Sequence, residues 1–95
     1  MFRTMNTQQR NVCLEIADNY GMQSQIPIAI EEMSELTKEL CKYIRGNDNE
    51  IDIAEEVADV KIMIEQIVYL FGIDDKVDKM IDYKLNRQLR RMDSE

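Results

Sequence analysis

Apolar residues recur every three or four positions along this 95-residue chain, and the spacing predicts four amphipathic helices. The predicted helices run over residues 7–20, 25–45, 49–71 and 74–92. Ser24 and Asp74 are the predicted N-caps of the second and fourth helices, and Pro27 is tolerated in the first turn of the second. The connections are a few residues long, which favours antiparallel neighbours. The sequence therefore predicts a single domain over 1–95 with an all-α, four-helix bundle fold.

The third predicted helix is apolar on more than one face. Its main stripe consists of Val57, Val60, Ile64, Ile67, Val68 and Phe71. Ala54, Ala58 and Ile62 lie to one side of that stripe. A helix of this kind is buried on more than one side, and in so small a chain we expect another subunit to cover the additional face. The sequence thus predicts a homodimer or homotetramer.

The charge balance narrows the range of partners. The net charge is −7, which argues against non-specific binding to nucleic acid or to an anionic membrane. The longest apolar run, residues 67–71, is too short to cross a bilayer. Cys13 and Cys41 are far apart and have no metal-type spacing, so we expect free thiols in a reducing compartment. These features predict a soluble cytoplasmic protein, and the net charge does not exclude a small anionic substrate that a metal or a local basic patch meets.

Acidic residues border the predicted apolar stripes of two neighbouring helices. On the second helix the stripe contains Ala29, Ile30, Met33, Leu36, Leu40 and Ile44. Glu32 borders it, with Glu35 further round, and on the third helix Glu56 borders the main stripe with Asp59 beside it. Packed helices lie about 8–10 Å apart, so these carboxylates would meet in a partly desolvated seam. There they either raise their pKa values or bind a hard cation such as Mg²⁺ or Mn²⁺. The alternative is a pair of solvated acidic faces.

The acidic residues also form a recognisable motif. Glu32-x-x-Glu35, followed after 20 residues by Glu56-x-x-Asp59, resembles the ExxE…ExxD signature of the MazG-like all-α nucleoside triphosphate pyrophosphohydrolases. The resemblance covers about residues 20–93. It implies a helical bundle that works as a dimer or a dimer of dimers and cleaves (d)NTPs to monophosphate and pyrophosphate with Mg²⁺. It also implies that the four motif acids are metal ligands, and we expect Glu35 to orient or deprotonate the attacking water.

Two further regions are candidates for substrate binding. Residues 84–91, KLNRQLRR, hold four basic residues and no acid. Such residues also complement the macrodipole at a helix C-terminus. The family resemblance makes Lys84 and Arg87 candidate phosphate ligands, although the family often has an Asn shortly before that Lys and this chain does not. Gln25 lies seven residues before Glu32, and its amide is a candidate for hydrogen bonding to the edge of the substrate's base. The alternative is an ordinary surface glutamine.

Three functions are consistent with this sequence. The first is an Mg²⁺-dependent pyrophosphohydrolase that removes a noncanonical or surplus (d)NTP. The second is a related enzyme acting on phosphoribosyl-ATP, which is disfavoured because the chain has no His after its second motif. The third is a non-catalytic helical dimer that regulates a partner, which is disfavoured because all four motif acids are retained. Pyrophosphate release across a panel of (d)NTPs separates these alternatives.

Overall fold

The computed structural model describes residues 5–95 of the chain. This part folds into four helices and contains no strand: α1 (Thr7–Tyr20), α2 (Met22–Ile44), α3 (Glu50–Phe71) and α4 (Asp74–Ser94). The prediction of an all-α protein with four helices is confirmed. No helix in the described part is both long enough and apolar enough to cross a membrane.

The helix ends follow from local capping, with two departures from the predicted caps. Asn6 and Gln9 form a reciprocal capping box at the start of α1, since each side chain accepts a hydrogen bond from the other's backbone N–H. Gly21 alone separates α1 from α2, so the predicted cap at Ser24 is wrong and Pro27 lies inside α2. The predicted cap at Asp74 is also wrong, because Ile73 holds the N-cap position and Asp74 is the first helical residue.

The α3 helix forms the centre of the structure, with α1 and α2 packed on different faces. An apolar groove of about 650 Å³ separates α1 from α3, and Ala54, Ala58 and Ile62 line its α3 side. These three residues remain exposed, so α1 covers the additional apolar face of α3 only in part and leaves the groove open. Arg10 of α1 joins this side of the structure through an ion pair with Glu65 of α3, at 2.9 Å.

The face of α2 that packs on α3 differs from the predicted one. Ala29 is buried and Leu36 is half-buried, as expected for the stripe. The other four members of the predicted stripe are 46–83% exposed: Ile30, Met33, Leu40 and Ile44. The α2 face in contact with α3 is rotated about a quarter turn from the stripe, at 100° per residue. This rotation places polar side chains inside the α2–α3 seam and leaves apolar ones outside it.

Candidate metal centre

Polar side chains pair across the α2–α3 seam at three levels. Gln25 contacts Gln66 at one end, Glu32 contacts Asp59 in the middle, and Glu39 contacts Asn49 at the other end. The contacts advance along α2 as they go back along α3, so these two helices run in opposite directions. We call this row of polar side chains the polar seam. It brings the two halves of the acidic motif to the same level.

Three carboxylates meet at the middle of the polar seam. Glu32, Glu56 and Asp59 each offer an oxygen, and these oxygen atoms all lie within 4.8 Å of one another. Glu56 and Asp59 lie one turn apart on α3, and Glu32 faces them from α2. Glu32 and Glu56 are half-buried, whereas Asp59 is exposed. We refer to these three residues as the acidic trio.

The acidic trio is electrostatically unfavourable in its ionised form. Burial raises the pKa of the Glu32 carboxyl, and the Asp59 charge, a hydrogen bond with Asp59 and the Glu56 charge raise it further. Burial also raises the pKa of Glu56, followed by the charges of Asp59, Glu35 and Glu39. In addition, Glu56 Oε2 is buried and has no hydrogen-bond partner within the described chain. A cation at this position would neutralise the charges and supply the missing partner.

Glu35 stands beside the trio without belonging to it. It is half-buried on α2, and its charge is among the causes that raise the pKa of Glu56. The cluster of oxygens within 4.8 Å does not include it. The structure thus brings three of the four predicted metal ligands together and leaves the fourth close by.

A neutralised carboxylate closes one end of the polar seam. Glu39 accepts hydrogen bonds from Asn49 Nδ2 at 2.9 Å and from Lys42 Nζ at 3.1 Å. These two contacts, led by that of Asn49, hold the Glu39 pKa below its usual range. Asn49 Nδ2 also donates to the Glu39 backbone carbonyl, so this side chain ties the start of α3 to α2. Glu39 is therefore a satisfied structural acid, in contrast to Glu32 and Glu56.

A glutamine pair closes the other end. Gln25 Nε2 donates to Gln66 Oε1 at 2.8 Å, and the two residues are only 3% and 1% exposed. Gln25 therefore presents no amide surface to a nucleotide in this structure. Sequence reasoning missed the roles of Gln66 and Asn49. The sequence did contain a signal for this row of contacts. Gln25 and Glu32 are seven residues apart on α2, and Asp59 and Gln66 are seven residues apart on α3, so each pair lies on one face of its helix.

The predicted phosphate ligands, Lys84 and Arg87, lie on α4, whereas the acidic trio lies on α2 and α3. The α4 backbone approaches only α3 among the other helices. The Arg87 guanidinium lies 5.6 Å from the centre of the Tyr83 ring, and its buried Nε has no hydrogen-bond partner within residues 5–95. Lys84 borders a shallow depression along the apolar side of α4.

The chain matches no protein-family model, no curated protein and no solved structure. The functional argument therefore depends on the chemistry of the site. An all-oxygen set of carboxylates from two helices suits a hard divalent cation such as Mg²⁺ or Mn²⁺. The class of site that the geometry supports is a candidate carboxylate metal centre inside a helical pair.

Proposed function

We propose that this protein is a Mg²⁺-dependent nucleoside triphosphate pyrophosphohydrolase of the MazG-like type, acting on a noncanonical or surplus (d)NTP. The observation that carries the proposal is the acidic trio, with oxygens from two helices within 4.8 Å of one another. The two motifs that supply these residues support the same family. In this proposal the enzyme is cytoplasmic and assembles as a homodimer or homotetramer.

The residues of the trio have the properties that a magnesium site requires. Glu32, Glu56 and Asp59 would hold the ion, and the unpaired Glu56 Oε2 is one available ligand atom. Mn²⁺ suits the same oxygen set. The bound ion supplies charge neutralisation for the phosphate oxygens of the substrate. The raised pKa values of Glu32 and Glu56 support this assignment, because they report a site with an excess of negative charge.

Glu35 has the role of general base in the proposed reaction. A water oxygen attacks the α-phosphorus, the bond between this phosphorus and the bridging oxygen to the β-phosphorus breaks, and pyrophosphate leaves. Glu35 accepts the proton of the attacking water, since it lies beside the trio without sharing its closest contacts. Glu35 can also act as the fourth metal ligand, as the motif implies. Lys84 and Arg87 are the proposed cationic partners of the triphosphate.

Pyrophosphate release from a panel of canonical and modified (d)NTPs, with and without Mg²⁺, tests the proposal. We expect Mg²⁺-dependent release that falls at least a hundredfold in Glu32→Gln, Glu56→Gln and Asp59→Asn, with helical content unchanged by circular dichroism. Glu55→Gln is the matched control, because Glu55 is an exposed neighbour on α3 outside the trio. Release that is unaffected by all three substitutions would place the catalytic site elsewhere. Absence of release from every nucleotide would favour the non-catalytic regulator.

A further inference from the structure

The α4 helix is an amphipathic helix that leaves its apolar side uncovered. None of its residues is buried. Its apolar stripe, which we call the α4 stripe, consists of Val77, Ile81, Leu85, Leu89 and Met92. Four of these five side chains are 49–61% exposed, and Val77 is half-buried. An isolated helix of this length gains most of its stability from packing its apolar face, so α4 requires a partner surface.

A second uncovered apolar surface lies on α2. It consists of Ile30, Met33, Leu40 and Ile44, which we call the α2 stripe. The two stripes have nearly the same length, because Ile30–Ile44 and Val77–Met92 span about 21 and 23 Å at 1.5 Å per helical residue. At 100° per residue, the α4 stripe spans about a third of the circumference of its helix and the α2 stripe a little less than a quarter. The two stripes therefore match in length, and the α4 stripe is the wider.

The connection between α3 and α4 keeps the two stripes of one chain apart. Gly72 ends α3 in the left-handed conformation, and only Ile73 separates it from α4. Asp74, at the start of α4, forms an ion pair with Arg10 of α1 at 2.7 Å, and Arg10 also pairs with Glu65. The α4 helix thus leaves α3 on the α1 side, whereas α2 packs on another face. The α4 and α2 stripes of one chain therefore do not meet in this structure, because the α4 backbone approaches only α3 among the described helices.

The surface area of the chain is that of a subunit with a large interface. A compact protein of 11.2 kDa exposes about 5,700 Å², whereas this chain exposes 7752 Å². The radius of gyration is 15.8 Å, against about 12.4 Å for a compact domain of 95 residues. If each of two copies buried the excess of about 2,000 Å², the interface would fall within the range of obligate homodimers. The excess surface is therefore sufficient for a stable dimer.

On the side of the α2 stripe that adjoins the polar seam, the charges are opposite in sign to those of α4. Residues 83–92 of α4 hold four basic residues and no acid. The α2 stripe lies beside the polar seam, which holds the acidic trio. When an α4 helix packs on an α2 stripe, its basic residues lie near an acidic region, which favours this pairing over contact between like surfaces.

From these observations we propose that α4 is exchanged between two copies of this chain, so that the α4 stripe of each copy covers the α2 stripe of the other. The interface is isologous, since each copy supplies one α4 and one α2. The inference specifies the surfaces of the homo-oligomer in the proposed function, and it is independent of the nucleotide chemistry.

Light scattering after gel filtration at 50 µM tests the interface. We expect the wild-type chain to show at least twice the chain mass of 11.2 kDa. Leu85→Asp in the α4 stripe and Ile30→Asp in the α2 stripe each introduce two buried charges into the dimer, and each should weaken association by about a hundredfold or more. Asn86→Asp is the matched control, because residue 86 lies outside the α4 stripe, about 120° from its centre, and this change should leave the mass unchanged. A monomeric wild-type chain, or a Leu85→Asp mass equal to that of the wild type, would overturn the proposal.

Mixing the two variants tests the exchange itself. The Leu85→Asp chain keeps an intact α2 stripe, and the Ile30→Asp chain keeps an intact α4 stripe. One of the two contacts is therefore unaltered in the mixed dimer, and we expect a heterodimer at concentrations where each variant alone is monomeric. If mixing restores no dimer, α4 does not pack on the α2 of a second copy. Pyrophosphate release plays no part in this measurement, so an inactive enzyme leaves its outcome unchanged.

Discussion

Replacement of Glu56 by glutamine tests the metal centre through stability alone. Glu56→Gln removes one charge from the acidic trio and keeps the shape of the side chain. In the metal-free protein, burial and the charges of Asp59, Glu35 and Glu39 raise the pKa of Glu56, so its ionised form destabilises the fold. Glutamine carries no charge. We therefore expect the metal-free variant to melt at a higher temperature than the wild type at pH 7.

Mg²⁺ should reverse this order. An ion that binds only the folded state adds about 1.4 kcal/mol to the free energy of unfolding at ten times its Kd. For a domain of this size, that increment raises the melting temperature by about 6–11 °C. The variant keeps only two of the three oxygens that lie within 4.8 Å of one another, so it should gain much less at the same Mg²⁺ concentration. The melting temperatures of the two proteins thus change order as Mg²⁺ is added.

Thermal melts followed by circular dichroism, at 0–20 mM MgCl₂ and constant ionic strength, measure both effects. Glu55→Gln is the control, because Glu55 is exposed and its charge raises the pKa of Glu56 less than the charges of Asp59, Glu35 and Glu39 do. This variant should show nearly the wild-type response to Mg²⁺. The reasoning is refuted if Glu55→Gln and Glu56→Gln respond alike, or if Mg²⁺ leaves the wild-type melting temperature unchanged.

Three further predictions concern the polar seam and one helix end. The hydrogen bond from Asn49 is the main reason that the pKa of Glu39 is lowered in the folded protein. The ionised Glu39 carboxylate therefore stabilises the fold above the ordinary carboxyl pKa, and this contribution is lost as the pH falls through the folded-state pKa. Asn49→Ala should destabilise the protein at pH 6 more than at pH 3, as measured by chemical denaturation. Gln66→Leu should cost about 1–3 kcal/mol, because it leaves the buried Gln25 amide unpaired. The double variant Gln25→Leu/Gln66→Leu should cost less than the sum of the single variants, and additive costs in a double-mutant cycle would contradict the pairing. Gly72→Ala should lower the free energy of unfolding by about 1–2 kcal/mol, because Gly72 has a φ of +63° and its Cβ position meets no neighbour, which leaves backbone strain as the only cost.

The positions of the helices could be predicted from the sequence because local signals determine them. Apolar periodicity and the glycines at positions 21, 46 and 72 mark the ends of the helices to within a few residues. The caps at Ser24 and Asp74 were wrong because the chain turns at Gly21 and at Ile73, one or more residues earlier. The first residue of each helix depends on how tightly the preceding connection turns. The preference of certain residues for the N-cap position does not predict this tightness.

The acidic trio could be predicted from motif spacing, but the environment of α2 could not. Periodicity shows that Ile30 and Met33 share a face, and the usual assumption is that this face turns inward. The structure instead turns Gln25 and Glu39 toward α3. The assumption that the apolar face of a helix packs inside its own chain fails where a second copy covers that face. We propose this arrangement for the α2 stripe. The pairing of Glu32 with Asp59 is a tertiary contact, and its geometry required the packed helices.

The polar seam has a consequence for the alignment of α2 with α3. Two apolar surfaces can slide past one another by a helical turn at modest cost, because one aliphatic contact replaces another. The Gln25–Gln66 and Glu39–Asn49 hydrogen bonds form in a single alignment, and any slip leaves several buried polar groups unpaired. The two end pairs thus fix the alignment of α2 with α3, and this alignment sets the distance between Glu32 and its partners on α3. A sequence that changed the end pairs while keeping every acidic residue would still lose the geometry of the centre.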